Sequence, residues 1–286
     1  MLKQKTAVIA LMVTALIAGS AATVIAQGSV PEKPAEPGTV VWYDLITEDA
    51  EAVLDFYREL FGWQLVEHRP NTYVVLDNGV PIAGISQIER KDPRVSEALW
   101  LTGIAVADVD AAVNRARSRG ATVHVEPKDV AGYGRYAVIA DPEDAPLMLL
   151  RPSRKLGGAR GPGAWIWAEL WGRDLKAEAA FYREVVGYER AQVEVNGAPY
   201  EALTSGGKPR AGLVEIPKEM DAVKTAWAPY LQVVDLQATL AAISQRGGKV
   251  LVAPDALRSR GSVALIADPS GAAFFIYQAA DQEVQK

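Results

Sequence analysis

Apolar and polar side chains alternate from Val41 to Ile46, and the period then changes: Val53, Phe56, Tyr57 and Leu60 fall on one face of a helix. The stretch Trp42–Trp63, WYDLITEDAEAVLDFYRELFGW, therefore predicts a strand followed by a helix. Asp49 stands where an N-cap acceptor is wanted, and Gly62 where a left-handed residue stops the helix. The pattern returns as Trp167–Tyr188, WAELWGRDLKAEAAFYREVVGY, with Ala177, Phe181, Tyr182 and Val185 as the helical stripe. Trp42 and Trp167, Asp49 and Asp174, and Gly62 and Gly187 are related by one constant offset of 125. A repeat of that length is too long for a solenoid unit and suits a whole small domain.

Three short strands follow the first helix, over Trp63–Arg69, Thr72–Leu76 and Pro81–Ile88, with turns at Pro70-Asn71 and Asp77-Asn78-Gly79. The pattern then restarts: a strand over Leu99–Val106, a cap at Asp108, a helical stripe of Val109, Ala112, Val113 and Ala116, and a stop at Gly120. Strands over Thr122–Val125, Arg135–Ala140 and Leu147–Leu150 complete it. Each domain thus reads as two βαβββ modules. Ala83-Gly84-Ile85 returns as Ala211-Gly212-Leu213, and Asp141-Pro142 as Asp268-Pro269. The offset drifts by only a few residues, which places insertions in hairpin loops. Residues 153–162 carry Gly157, Gly158, Gly161 and Pro162 and read as a linker, with basic residues there for solvation. The predicted domains are 38–152 and 163–280, with a tail over 281–286.

The N-terminus adds a targeting signal. Lys3 and Lys5 precede an uncharged, mostly apolar run, and Val24-Ile25-Ala26 offers compact side chains for cleavage before Gln27. Residues 1–26 read as a signal peptide and 27–37, with Pro31, Pro34 and Pro37, as a semi-extended tether. The expected location is periplasmic or secreted, with no membrane association after cleavage; an uncleaved membrane anchor is the alternative. Loss of Lys3 and Lys5 takes the net charge from −5 to −7, which argues against a nucleic-acid partner. The chain has no cysteine, which excludes thiol catalysis, disulfides and cysteine metal sites. The sequence contains no Gly-x-Ser-x-Gly elbow, Walker A loop or zinc pair.

Four βαβββ modules, the Phe-Tyr-Arg-Glu…Gly helix ends, and Asp108-Val109-Asp110 and Asp141-Pro142 with their second copies resemble the vicinal-oxygen-chelate superfamily of glyoxalases, extradiol dioxygenases and bleomycin-resistance proteins. The Trp-x-acid-Leu opening of both copies is similar to a tandem, exported subgroup. The resemblance implies an α+β fold of two tandem domains, each folding its paired modules into a curved mixed sheet around a cleft. It also implies where metal ligands would stand: Trp42, Leu101 and Met148 in the first domain, Trp167, Ala228 and Phe275 in the second. None of these six is an imidazole or carboxylate donor. The only histidines, His68 and His124, fall on other strands and read as surface or packing residues.

Alternation assigns the faces. Val41, Tyr43 and Leu45, like Ile166, Ala168 and Leu170, are expected under the helices. Trp42, Asp44, Leu101 and Met148 are then expected to line the first cleft. Trp167, Glu169, Trp171, Tyr230, Gln232, Phe275 and Tyr277 are expected to line the second, with one acid in each. Apolar, aromatic lining suits a small hydrophobic or planar ligand, unless the rings fill a collapsed cleft as core. The expected function is metal-independent binding of such a molecule, with no cofactor. The alternative is a glyoxalase-type lyase or isomerase whose metal is held by displaced carboxylates such as Asp44 or Glu169. Gly132-Tyr133-Gly134-Arg135 and Arg258-Ser259-Arg260-Gly261 read as turns, or as loops placing an arginine at a cleft mouth.

Overall fold

The computed structural model describes residues 35–89, 98–195, 197–219, 223–254 and 262–279. The predicted signal peptide, most of the tether, the turn at residues 258–261 and the predicted tail lie outside them. The first domain runs β1 (Val40–Thr47), α1 (Glu51–Phe61), β2 (Gln64–Arg69), β3 (Thr72–Asp77), β4 (Val80–Gln87), β5 (Leu99–Ala105), α2 (Val109–Ser118), β6 (Thr122–Val130), β7 (Gly134–Ala140) and β8 (Pro146–Pro152). The second repeats it as β9 (Trp165–Gly172), α3 (Leu175–Val185), β10 (Glu189–Val195), β11 (Ala198–Ser205), β12 (Lys208–Glu215), β13 (Ala226–Val233), α4 (Leu236–Gln245), β14 (Lys249–Val252), β15 (Val263–Ala267) and β16 (Ala273–Gln278).

The helices begin and end as their caps dictate. Asp174 accepts hydrogen bonds from the Lys176 and Ala177 amides at 3.0 Å each. Helix α1 starts after Ala50, one residue beyond Asp49, but Asp49 still accepts from the Ala52 amide at 3.1 Å. Gly62 ends that helix with φ of 70°, a conformation that favours glycine.

Each domain forms one eight-stranded mixed sheet, ordered β2-β3-β4-β1-β5-β8-β7-β6 and β10-β11-β12-β9-β13-β16-β15-β14. Within a module the first and last strands pair in parallel across the helical crossover, as β1 does with β4 and β5 with β8. The two modules join through antiparallel β1–β5 and β9–β13.

Tyr43, Leu45, Ala168 and Leu170 lie under helices as the alternation predicts. Val41 and Ile166 do not. A register shift between Val40 and Trp42 turns Val41 toward the same side as Trp42 and Ile46, and the matching irregularity in β9 leaves Ile166 38% exposed. One extra residue in a strand reverses the facing of its neighbour, which period-two reading does not anticipate.

The helical faces of the two domains pack against each other. One core joins α2 and the β5–β8 half of the first domain to α3 and the β9–β12 half of the second. Another joins α1 and the β1–β4 half to α4 and the β13–β16 half. The repeated Asp-Pro turns pin both seams. Trp100 donates to the Tyr57 hydroxyl at 3.0 Å, and Tyr57 donates to Asp268 at 2.7 Å. Trp227 donates to Tyr182 at 2.8 Å, and Tyr182 to Asp141 at 2.8 Å. The other oxygen of each aspartate holds its own turn, accepting from the Ala145 amide at 2.9 Å and the Ala272 amide at 3.0 Å. Each buried relay satisfies polar groups that cost ~1–3 kcal/mol when left unpaired.

The seams differ in one respect. At the Asp141 seam, Glu178 of α3 is buried to 2% exposure. Burial, with the Asp141 and Glu143 carboxylates facing it, pushes its pKa up to about 9, so it is held as the neutral acid at neutral pH. Glu143 crosses the same seam and accepts from the Arg173 and Asp174 amides and the Thr225 hydroxyl. The repeat places Val53 and Ser270 at the corresponding positions of the other seam.

The end of the tether does not run free. Ser205 donates to the Pro37 carbonyl at 2.9 Å, Tyr188 donates to the Gly38 carbonyl, and Arg210 pairs with Glu36. The chain entering the first domain is thereby strapped to the second.

Candidate functional site

The second cleft is built on three adjacent strands whose register is fixed by backbone pairing. Glu169 on β9 lies opposite Ala228 on β13, Trp167 opposite Tyr230, and Tyr230 beside Phe275 on β16. Trp167, Glu169 and Trp171 share one face of β9. Gln232 and Tyr277 continue the lining one step further along β13 and β16. Trp167, Trp171, Tyr230, Gln232 and Tyr277 are half-buried, Glu169 is 8% exposed and Phe275 is buried.

Glu169 sits at the centre of a hydrogen-bond network. Tyr200 donates to its Oε1 at 2.6 Å; Tyr230 and Trp171 donate to its Oε2 at 2.6 and 2.9 Å. Trp167 donates to the Tyr200 hydroxyl at 3.0 Å. The group thus acts only as an acceptor, which is a carboxylate's role. Burial, reinforced by the facing carboxylate, raises both the Tyr200 and Tyr230 phenols well above their ordinary value, so they stay protonated donors and are unsuited as general bases. Phe275 stacks on Tyr230 with ring centroids 4.4 Å apart and on Trp171 at 5.7 Å. Tyr200 was absent from the sequence-based set. Its hydroxyl crosses β12 at Gly212, where a Cβ would overlap both Tyr200 and Glu169. The signal available in the sequence was a repeated glycine inside a strand, which marks a close approach.

The first cleft has the same register and the opposite character. Asp44 lies beside Gly84 and opposite Leu101, and Gly103 pairs with both Trp42 and Met148. Trp42, Asp44, Leu101 and Met148 are all buried, none more than 2% exposed. They belong to a closed core with Tyr133, Tyr136, Val138 and Leu150. Tyr133 stands edge-on to Trp42, centroids 5.7 Å apart, and donates to the Met148 sulfur at 3.0 Å. Tyr133 comes from the Gly132–Arg135 turn. The arginine of that turn faces away from the cleft, paired with Asp110 and Asp129. Asp44 accepts from the Trp42 indole at 3.0 Å through Oδ1, while Oδ2 has no partner. Burial raises its pKa to about 7, the Trp42 bond opposing the shift.

The metal chemistry of the fold does not fit these residues. The positions where the fold family places ligands carry Trp42, Leu101 and Met148, and Trp167, Ala228 and Phe275, none of which brings an imidazole or carboxylate. Asp44 and Glu169 stand on separate sheets, and no group of three histidines or acids among the described residues is placed to hold an ion. Of the histidines, His124 is buried on β6 and His68 half-buried on β2.

A further depression of about 210 Å³ lies at the domain seam, lined by Val40, Tyr43, Ile82, Trp165, Ile166 and Arg210 among others. Its one charged group, Arg210, is committed to Glu36 and Thr39. Polar groups converge in the second cleft and not there.

Comparison with known proteins accords with this architecture. Residues 39–149 match the Glyoxalase/Bleomycin resistance protein/Dioxygenase superfamily, and residues 169–277 match a glyoxalase-like domain. The chain is 34% identical over 254 residues to CFP32 of Mycobacterium tuberculosis, a protein named as a glyoxylase, covering 86% of this chain and 97% of that one. It is 32% identical over 259 residues to the anthracycline biosynthesis protein DnrV of Streptomyces peucetius, covering 85% and 94%. In structure it resembles the Mn(II)-bound glyoxalase of Novosphingobium aromaticivorans, with a TM-score of 0.58 at 14% identity over 85% of this chain and 82% of that one. It also resembles the 2,3-dioxygenase LapB of Pseudomonas sp. KL28, with a TM-score of 0.57 at 13% identity over 85% and 93%. Those two likenesses concern the fold alone. By its matched domains and its relatives, the chain belongs to the glyoxalase/bleomycin-resistance/dioxygenase superfamily, in a tandem two-domain form.

Proposed function

We propose that this protein binds a small hydrophobic or aromatic molecule in its second cleft, without a metal, and that it acts outside the cytoplasm. The observation that carries the reading is the contrast between the half-buried aromatic wall around Glu169 and the closed core around Asp44. A planar ligand needs accessible ring surface and a few placed polar groups, and the half-buried rings of the second cleft with Glu169 supply both. Neutral phenols and family ligand positions without imidazole or carboxylate donors favour binding over turnover.

The test is a panel of planar molecules titrated against the tryptophan fluorescence of the mature protein, repeated with Trp171→Ala. Saturable quenching weakened at least about tenfold by the substitution, roughly 1.4 kcal/mol, supports the reading. The name of CFP32 favours a lyase as second reading. Stoichiometric divalent metal retained after dialysis, with methylglyoxal–glutathione turnover lost on chelation, establishes it in place of the first.

Export rests on the charge-free run between Lys5 and Glu32 and on Val24-Ile25-Ala26. Among the described residues no helix is long and apolar enough to cross a membrane. Mass spectrometry of native protein is expected to find a chain starting near Gln27; intact Met1 in a membrane fraction replaces the signal with an anchor.

A further inference from the structure

The hydrogen bonds of the second cleft constrain the charge of what it holds. Four donor hydrogens surround Glu169, on Trp167, Trp171, Tyr200 and Tyr230. All four are used inside the network: three on the carboxylate and one on the Tyr200 oxygen. A ligand arriving there finds no hydrogen from these groups. It finds acceptors, since Glu169 Oε1 has taken one hydrogen bond and a carboxylate oxygen accommodates two, and the Tyr230 oxygen keeps a lone pair. Gln232 and Tyr277, further along the strands, can donate or accept and set no sign.

The charge balance points the same way. No lysine or arginine among the described residues lies within ion-pair distance of Glu169; Arg190 on β10 and Arg210 on β12 engage other acids, Glu201 and Glu36. The partners that stabilise the carboxylate are neutral, so its charge is not cancelled. Trp171, Tyr200 and Tyr230 turn donor edges toward the acid and Trp167 turns its own toward the Tyr200 oxygen, while the faces of these rings carry the negative part of the quadrupole. The carboxylate and the half-buried rings around it add to one negative field, which attracts organic cations and repels anions.

The geometry points to an organic cation as the ligand: a protonated or quaternary amine on a planar aromatic frame, held with its charge toward Glu169 and its plane against the side of the half-buried Trp171 ring that Phe275 leaves uncovered. This rests on the second cleft being the binding site and adds the charge of the ligand to it.

Three bicyclic probes of matched shape separate the two ideas at neutral pH: N-methylquinolinium, quinoline and 2-naphthoate, titrated calorimetrically against the full mature protein. The expected order is cation over neutral over anion, with the cation about tenfold or more tighter than quinoline. Glu169→Gln is expected to erase that preference, weakening the cation about tenfold more than it weakens quinoline. Should Glu169→Gln fail to fold, salt dependence of the wild-type protein decides: sodium chloride weakens the cation and leaves quinoline unchanged. Quinoline or naphthoate binding as tightly as the cation overturns the charge inference and leaves the cleft as a site. A preference that survives Glu169→Gln overturns the role of the acid. No binding by any probe, together with no response to the planar panel, removes both.

Discussion

The two clefts are copies of one design in opposite states. Glu169 corresponds to Asp44 in register, Trp167 to Trp42 and Gly212 to Gly84. The side chains around the acids have diverged. Where the second cleft has Tyr230, Phe275, Trp171 and Tyr200, the first has Gly103, Met148, Ile46 and Thr72. Every donor to Glu169 is therefore missing around Asp44, whose bond comes instead from Trp42, the counterpart of a tryptophan that donates to Tyr200 in the second cleft. The space left by the smaller residues is taken by Tyr133 and Tyr136 from the β6–β7 side. A duplicated fold can thus keep one concave face as core and leave the other as a surface. What separates them is whether the acid is given neighbours that donate or neighbours that fill.

The largest expected effect sharpens that difference with one substitution made twice. Trp42→Ala removes a side chain 2% exposed in a closed core and is expected to cost ~3–5 kcal/mol. Trp171→Ala, at a half-buried position, is expected to cost about 1–2 kcal/mol and to act mainly on binding. Denaturant melts of both variants check this; equal losses would break the distinction between core and cleft.

The acids come next, and pH is the probe. Asp44 has its folded-state pKa raised to about 7, above the unfolded value, so its favourable contribution is fully present below about pH 4 and is lost as pH rises through 7. The loss across that window is on the order of 4 kcal/mol at most. Asp44→Asn is expected to flatten this part of the stability–pH curve, whereas Glu169→Gln should leave that acid-to-neutral fall in place. Thermal melts from pH 4 to about pH 8 separate the variants.

The two seams offer a second contrast of the same kind. Glu178, raised to about 9, adds stability below its unfolded pKa near 4.5 that is lost as pH rises through 9. Glu178→Val places at this seam the residue type that Val53 provides at the other, and is expected to stabilise the protein above neutral pH by ~1–3 kcal/mol. Unfolding midpoints near pH 9 test it, and a variant that is less stable there than the wild type contradicts the assignment. The smallest effect belongs to Tyr200→Phe, which removes one donor from Glu169 and is expected to cost about 1 kcal/mol in stability. Thr72→Val, at the matching position of the first cleft, leaves Asp44 with the bonds it has and should not alter its titration.

Much of this was legible in the chain before folding. The constant offset between Trp42 and Trp167 announces two domains, and the switch from period two to period 3.6 places every first strand and helix, because alternation and amphipathicity are local consequences of backbone geometry. The facing of Trp42, Asp44, Trp167, Glu169 and Trp171 follows from the same alternation. It failed at Val41 and Ile166, where strand irregularities depend on the partner strand and leave no mark in local composition.

Sequence determined which residues share a face; tertiary structure decided what meets them there. Nothing near Asp44 in the chain says that Tyr133, some ninety residues on, fills its cleft, or that Tyr200 crosses a glycine to reach Glu169. The Asp-Pro turns read as repeated motifs, yet only the packed structure sends Tyr57 to Asp268 and Tyr182 to Asp141 across the domain boundary. The physical reason is range. Backbone preference and periodicity act over a few residues. Whether a cleft closes, an acid finds donors or a carboxyl keeps its proton depends on groups far away in sequence, which only the fold brings within a few ångströms.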